Sequence, residues 1–304
     1  MSTPAAFAST AALSRRPLAR TVAFAGAALL CFAANSLLCR AALTHGRADP
    51  ASFTAVRLAS GAVALVALLG VTGGRARPGG GSWTSALALF AYAVAFSLAY
   101  VRIGAGVGAL VLFAHVQGTM VGYGVATGVR LGARGWLGAV VAIAGLAALT
   151  LPGAGAPDVA GCVLMALAGI AWGVYSIRGR RARDPLATTA DNFVRAAPFA
   201  AAFLAALAPT AHLSREGLAL AIVSGALTSG IGYAFWYAAL PALGAARAGT
   251  LQLAVPVLAA LGATGLLGER PTPRLVAAGL AILAGVALAM SARPPAEVGK
   301  GRTL

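Results

Sequence analysis

LQLAVPVLAALGATGLLGERPTPRLVAAGLAILAGVAL, residues 251–288, is two apolar runs joined by a turn of Gly, Arg and Pro. The same outline stands 140 positions earlier in VLFAHVQGTMVGYGVATGVRLGARGWLGAVVAIAGLAA, residues 111–148. Gly122, Gly128, Arg130, Arg134 and Gly145 recur as Gly262, Gly268, Arg270, Arg274 and Gly285, and Gly104 recurs as Gly244. Arg57 recurs as Arg195 at a spacing of 138, and Asp49-Pro50 as Asp184-Pro185 at 135. Matched alanines carry no weight in so Ala-rich a chain, whereas matched Gly and Arg do. The first copy holds apolar stretches at 21–41, 50–71, 84–101, 105–127 and 135–152. The second holds them at 158–178, 188–208, 215–240, 245–267 and 273–292. Two copies of an odd number of spans insert in opposite orientations, which is the sequence signature of an inverted-repeat transporter.

Composition agrees with a bilayer as the solvent. The 304 residues are 60% hydrophobic and 10% charged, with a mean hydropathy of +0.86. A soluble domain of this length has no core large enough to hide that much apolar surface, whereas a spanning helix needs about 20 apolar residues. The expected fold is an all-α membrane protein of ten transmembrane helices in two inverted five-helix repeats, 21–152 and 158–292. Tails at 1–20 and 293–304 flank them. With the N-terminus in the cytoplasm, inside connectors and tails carry fourteen Lys/Arg and outside connectors six. That bias puts both termini inside. The same bookkeeping explains the net charge of +16 without nucleic acid. Every basic residue except Lys300 is Arg, as in a GC-rich bacterial genome. Arg15, Arg16 and Arg20 before the first apolar run resemble a signal peptide, but nine further spans make it an uncleaved anchor. Cys31, Cys39 and Cys162 form no CxxC or Cys/His cluster and read as small hydrophobes; no metal site is expected.

The residues then suggest a family. Segment 251–288 has a Pro inside the penultimate span, the turn Leu267-Gly268-Glu269 and a Gly-rich final span. It resembles the end of an EamA repeat of the drug/metabolite transporter (DMT) superfamily. GALTSGIGYAFWYAALPAL (225–243) resembles the preceding span, and FAANSLLCRAAL (32–43) and GIAWGVYSIRGR (169–180) are similar to the first span of each copy. The resemblance implies a ten-helix secondary transporter working by alternating access around a central cavity; it names no substrate. The first copy departs from the pattern: Val129 stands where the second has Glu269, and Val116 where it has Pro256.

Polar residues at membrane depth are functional candidates by default. Arg57 and Arg195 sit at matching places in spans 2 and 7. They read either as guanidinium groups attracting an anionic substrate or as clamps on carbonyls that snorkel to the interface. Asp191 lies one helical turn before Arg195, either ion-paired to it or as a coupling carboxylate. His115 is the one histidine inside a span, a titratable site residue or a packing residue. Gln117 and Gln252 orient a ligand or bond neighbouring helices. Tyr233, Trp236 and Tyr237 share a face of span 8; with Trp172 and Tyr175 of span 6 they make a stacking wall for a ligand or a packing cluster. Asn35, Pro256 and Glu269 read as structural: backbone satisfaction at a helix break, a kink and a turn.

The function expected from these features is a secondary transporter of a small metabolite (amino-acid-like, organic anion or drug-like) in the bacterial cytoplasmic membrane. It would run by gradient-driven export or exchange. Its partners are the small-molecule substrate and the lipid bilayer, with proton or ion coupling and a homodimer both open. The alternative is a non-transporting scaffold or sensor. No HExxH motif, carboxylate pair or Ser/His/Asp spacing points to an enzyme, and no P-loop points to ATP; no cofactor is expected.

Overall fold

A computed structural model describes residues 6–72, 80–151, 153, 155–180 and 182–291. The expected tail at 293–304 and most of the connector after span 2 lie outside the described residues. The chain is helical throughout: α1 (Ala6–Thr44), α2 (Pro50–Val71), α3 (Trp83–Arg102), α4 (Ala105–Ala126), α5 (Ala133–Thr150), α6 (Val159–Gly179), α7 (Pro185–Ala206), α8 (Arg215–Ile222), a π-helical segment (Val223–Ile231), α9 (Gly232–Gln252), α10 (Ala254–Leu267) and α11 (Pro273–Ser291). Helix α1 begins at Ala6, well before the expected start of span 1; its membrane-length part is Ala19–Thr44.

Helix starts follow the local chemistry. Asp49 caps α2 by accepting the N–H groups of Ala51 and Ser52 at 2.9 and 3.0 Å, and Asp184 caps α7 through Ala187 at 3.0 Å. In both, Pro occupies the first helical position, where it loses no hydrogen bond. Ser82, Asp158 and Ser214 cap α3, α6 and α8 in the same way. Asp49, Asp158 and Asp184 are therefore helix caps.

Among the described residues nine helices are long and apolar enough to cross a membrane. Helix α7, the expected seventh span, is of similar length at 22 residues but carries Asp191, Asn192 and Arg195 on a less apolar sequence. The expected break between spans 8 and 9, at 241–244, is absent: α9 runs on to Gln252, and the helix is interrupted at Leu253. The interruption falls three residues before Pro256. That Pro has no N–H for the carbonyl of Gln252, and its ring clashes with that carbonyl.

Helices pair in a two-fold pattern. α2 packs on α7, α4 on α10 and α5 on α11; α3 crosses α6 as α1 crosses α9. The α5–α11 seam is glycine against glycine. A Cβ at Gly285 would stand 2.5 Å from the nitrogen of Ala142 and 2.6 Å from the oxygen of Gly138. Close backbone approach of this kind is how helices associate without a hydrophobic driving force. Outward faces are apolar, with Leu280 67% and Ile143 66% exposed, as acyl chains require.

Connectors lock the two ends of the bundle. At the end where α1 begins, here the near end, the segment before α3 is held by α7. Gly81 donates to Asp191 Oδ2 at 2.8 Å and Ser82 N–H to Asn192 Oδ1 at 3.0 Å. Arg178, at the end of α6, donates to Ser85 Oγ at 2.9 Å. At the far end, Asp49 exchanges backbone contact with His212, and its Oδ2 accepts the His212 N–H at 2.8 Å. Burial pushes the Asp49 carboxyl up, but the Ser52 hydroxyl and the N–H donors of Ser52, His212 and Ala51 outweigh it and hold the group below its ordinary 3.8.

Candidate functional site

The centre of the bundle is aromatic because four helices aim rings at one another. Helix α3 places Tyr92, Phe96 and Tyr100 one turn apart on one buried face. Tyr92 and Phe96 lie 5.2 Å apart and Phe96 and Tyr100 4.7 Å apart, the latter edge to face. Trp172 of α6 joins the column, 4.9 Å from Tyr92 and stacked on Tyr175 at 5.4 Å and on Tyr233 at 5.2 Å. Phe32 of α1 closes on Tyr233 and Trp236 at 5.9 and 5.8 Å.

Below this layer, toward the near end, lies a cavity of about 370 Å³. Its walls include Trp172, Tyr175, Tyr233, Trp236, Tyr237 and Gln252, and its mouth lies by Gly179, Arg180 and Pro185, between the end of α6 and the start of α7. The expected aromatic wall is therefore assembled, and it lines a space rather than a packed interior. Above the layer is a second pocket of about 20 Å³, bordered by Asn35, Ser36, Tyr92, Phe96, Ser229 and Tyr233 among others. Trp172 and Tyr233 line both spaces.

Arg57 does not line this second pocket but stands behind two residues that do, Tyr92 and Phe96. It is 2% exposed, its charge centre 5.2 Å from the Tyr92 ring centroid and 4.9 Å from that of Phe96. Nη2 donates to Tyr92 Oη at 3.0 Å, while no hydrogen-bond acceptor among the described residues reaches Nε or Nη1. None of the four ion pairs among the described residues includes it. Its backbone is fixed by the π segment: a Cβ on Gly225 would overlap the Arg57 carbonyl. Wide π turns recur at functional sites. Asn35 ties α1 to the same segment. Its Oδ1 accepts Ser224 Oγ at 2.7 Å and Thr228 Oγ1 at 3.3 Å, and its Nδ2 donates to Tyr92 Oη at 3.3 Å. It thus bonds side chains, not the free backbone expected of it.

The other expected site residues stand apart. Arg195 pairs with Asp191 at 3.1 Å and lies over Trp83, so it belongs to the near-end lock and not beside Arg57. Asp191 is held by Arg195 and by Gly81. His115 Nδ1 bonds the Val111 carbonyl of its own helix at 2.8 Å, with its Cβ against Gly169; it borders neither central space. Gln117 is buried and reaches the Gly249 carbonyl at 3.5 Å, bridging α4 and α9. Glu269 does more than turn the chain. Both its carboxylate oxygens accept the Ala105 N–H, at 3.1 and 2.9 Å, capping α4 where Gly104 has no side chain to do so. Arg40 bonds Glu269 at 3.2 Å and the Tyr100 carbonyl at 2.6 Å. Together they seal the far end beside an outer cavity of about 420 Å³ that also holds Arg102, Asp158 and Arg270.

Tyr92, Phe96 and Tyr100 were not among the residues singled out in the sequence. Their spacing of four within AYAVAFSLAY (91–100) was the available signal, since aromatics one turn apart on an otherwise small-residue helix mark a face with a partner.

The sequence profile of the EamA-like transporter family matches residues 159–291. The chain is 51% identical over 277 residues to Uncharacterized protein PA1977 of Pseudomonas aeruginosa, covering 91% of this chain and 96% of that one. It also resembles a protein of known crystal structure at 23% identity and a TM-score of 0.63, over 88% of this chain and 98% of the other, a likeness of fold. With its apolar helices and the family profile over its second half, the chain belongs to the EamA-like transporter family of the drug/metabolite transporter superfamily.

Proposed function

We propose that this protein is a secondary transporter that carries a small metabolite across the bacterial cytoplasmic membrane by alternating access. The observation that carries the reading is the aromatic cavity of about 370 Å³, which has a mouth at the near end and stops at mid-bundle under Trp172 and Tyr233. Its size is that of a small-molecule site, apolar with a few polar groups. A scaffold has no use for such a space. The far end is shut by the Phe96–Tyr100 contact and by the Arg40–Glu269 clamp.

In this reading α7 is a tenth span, and the two halves are inverted repeats. Supporting this are the pairings α2–α7, α4–α10 and α5–α11 between like-numbered spans, and the left-handed backbone at both Gly128 (φ 98°) and Gly268 (φ 68°), matched residues of the two copies. The charge bias puts the near end and both termini in the cytoplasm, so the cavity opens inward. The near-end lock at Gly81–Asp191 and the far-end clamp at Glu269 are both formed here, and alternation requires the far-end clamp to open. The energy comes from a gradient.

Reconstitution tests this. Proteoliposomes preloaded with candidate amino acids, organic acids, nucleosides or drugs should show counterflow of at least one labelled solute. A folded protein with no counterflow, whose single-cysteine variants at Gly179 and Arg270 react from the same side of the membrane, overturns the reading.

A further inference from the structure

The pocket of about 20 Å³ above the aromatic layer has an unusual hydrogen-bond balance. Tyr92 Oη accepts from Arg57 Nη2 at 3.0 Å and from Asn35 Nδ2 at 3.3 Å. A phenol has two lone pairs and one proton, so both acceptor positions are used and the proton remains to be donated. Asn35 Oδ1, the amide's one acceptor, is taken by Ser224 and Thr228. Ser36 and Ser229 add hydroxyls to the same wall, and no Asp or Glu lines this pocket or the aromatic cavity. Behind Tyr92 stands Arg57, a buried cation with two nitrogens that no acceptor among the described residues reaches. Donors in front and an uncompensated guanidinium behind make a site for negative charge, strengthened by the low dielectric around it.

We infer that this pocket is the carboxylate end of a substrate site for aromatic monoanions, whose ring stacks on Trp172 and Tyr233 in the cavity below. The inference rests on the reading of that cavity as the transport site and gives its substrate class. Tyr92 O–H donates to the carboxylate, and Arg57 supplies the compensating charge through Tyr92. At about 20 Å³ the pocket exceeds the 10–15 Å³ needed for one water and so admits a carboxylate oxygen. No acidic side chain waits for an ammonium group in either space, so a carboxylate without an amine is preferred over its zwitterionic or cationic relatives. Arg102 and Arg270 in the outer cavity, and Arg180 at the inner mouth, put further cations at both ends of the path.

The test uses the purified full-length protein and four indole probes of one ring and different charge: indole-3-acetate, indole-3-acetamide, tryptophan and tryptamine. Binding is read by isothermal titration calorimetry, and counterflow is measured in parallel in proteoliposomes. Indole-3-acetate should bind on the order of tenfold or more tighter than its neutral amide, the scale of one charge-assisted hydrogen bond, and tryptamine weakest. Arg57→Gln and Tyr92→Phe should each erase the difference between acetate and amide while leaving weak ring binding; Arg57→Lys should keep part of it. Equal binding of acetate and amide, tightest binding of tryptamine, no binding of any probe, or a preference that survives Arg57→Gln overturns the inference. The two readings fail separately. Preferential binding of acetate without counterflow sinks transport and leaves the anion site standing. Counterflow of tryptamine alone leaves the transporter and sinks the anion site.

Discussion

Arg57 is the residue on which stability and function pull apart. A buried guanidinium without a carboxylate partner costs folding free energy that one phenol oxygen and two ring faces only partly offset. Replacing it with a side chain of similar length and no charge should therefore stabilise the protein while abolishing its use. Arg57→Met is expected to raise Tm, by about 2–4 °C for each kcal/mol of desolvation relieved, and to lower counterflow at least about tenfold. A fall in Tm would show that Arg57 is structural. Arg195 predicts the reverse. Its pairing with Asp191 and its place over Trp83 are local supports, so Arg195→Gln should cost about 1 kcal/mol of stability, the scale of a part-exposed ion pair. Its effect on binding should be smaller than that of Arg57→Gln, as a thermal melt beside a calorimetric titration would reveal. Asp49 sets a pH dependence. Its folded pKa lies below 3.8, so it binds fewer protons folded than unfolded. Its contribution is complete above about pH 4 and is lost as pH falls through the folded value. Acid melts of Asp49→Asn should lack that component.

At the scale of elements, two irregular stretches carry the site. The π segment brings Gly225 onto the Arg57 carbonyl, and no side chain fits between. Gly225→Ala must push α2 away, so a loss of about 1–3 kcal/mol is expected from overpacking, together with loss of indole-3-acetate binding. Unchanged melting would mean that α2 and the π segment are not in contact in the membrane. The interruption at Leu253 has its cause in Pro256 and frees the Gln252 carbonyl beside the cavity. Pro256→Ala restores a donor for that carbonyl and should straighten α9 into α10. Transport should slow while thermal stability holds or rises. Pro256 was legible in the sequence as a breaker, but the place of the break was not. A proline's steric and hydrogen-bonding effect falls on residue i−4, and helix packing decides where between i−4 and i the chain bends.

The whole molecule is a set of helices held by locks at two ends, both formed in this structure, and the proposed alternating access requires the far one to open. Glu269 joins α1, α4 and the α10–α11 turn at the far end. Removing its charge leaves Arg40 and the start of α4 uncompensated and should move the population toward the form open at the far end. In Glu269→Gln, a cysteine placed at Ser229 should become reactive toward an impermeant maleimide from outside, several-fold faster than in the parent. The three native cysteines, Cys31, Cys39 and Cys162, are removed from both beforehand. Equal rates would show that the clamp is not a gate.

The Asp-Pro pairs were read in the sequence only as landmarks of the repeat and are helix starts in the fold, whereas the apolar spans were written in the sequence, because hydropathy is a local property. So was the wall of Trp172, Tyr175, Tyr233, Trp236 and Tyr237, because one helical period places those rings on one side of α6 and of α9. Part of the difference between Arg57 and Arg195 is local: an aspartate stands one turn before Arg195, where Arg57 has Phe53. The rest is tertiary, since the hydrogen-bond partner of Arg57 is Tyr92 of another helix. Of the two readings open for His115, the fold shows the packing one: the Val111 carbonyl one turn earlier bonds its ring, and its Cβ lies against Gly169. Which polar side chain is satisfied at home and which is buried with nitrogens left over depends on the neighbours that packing brings, and only the folded bundle decides that.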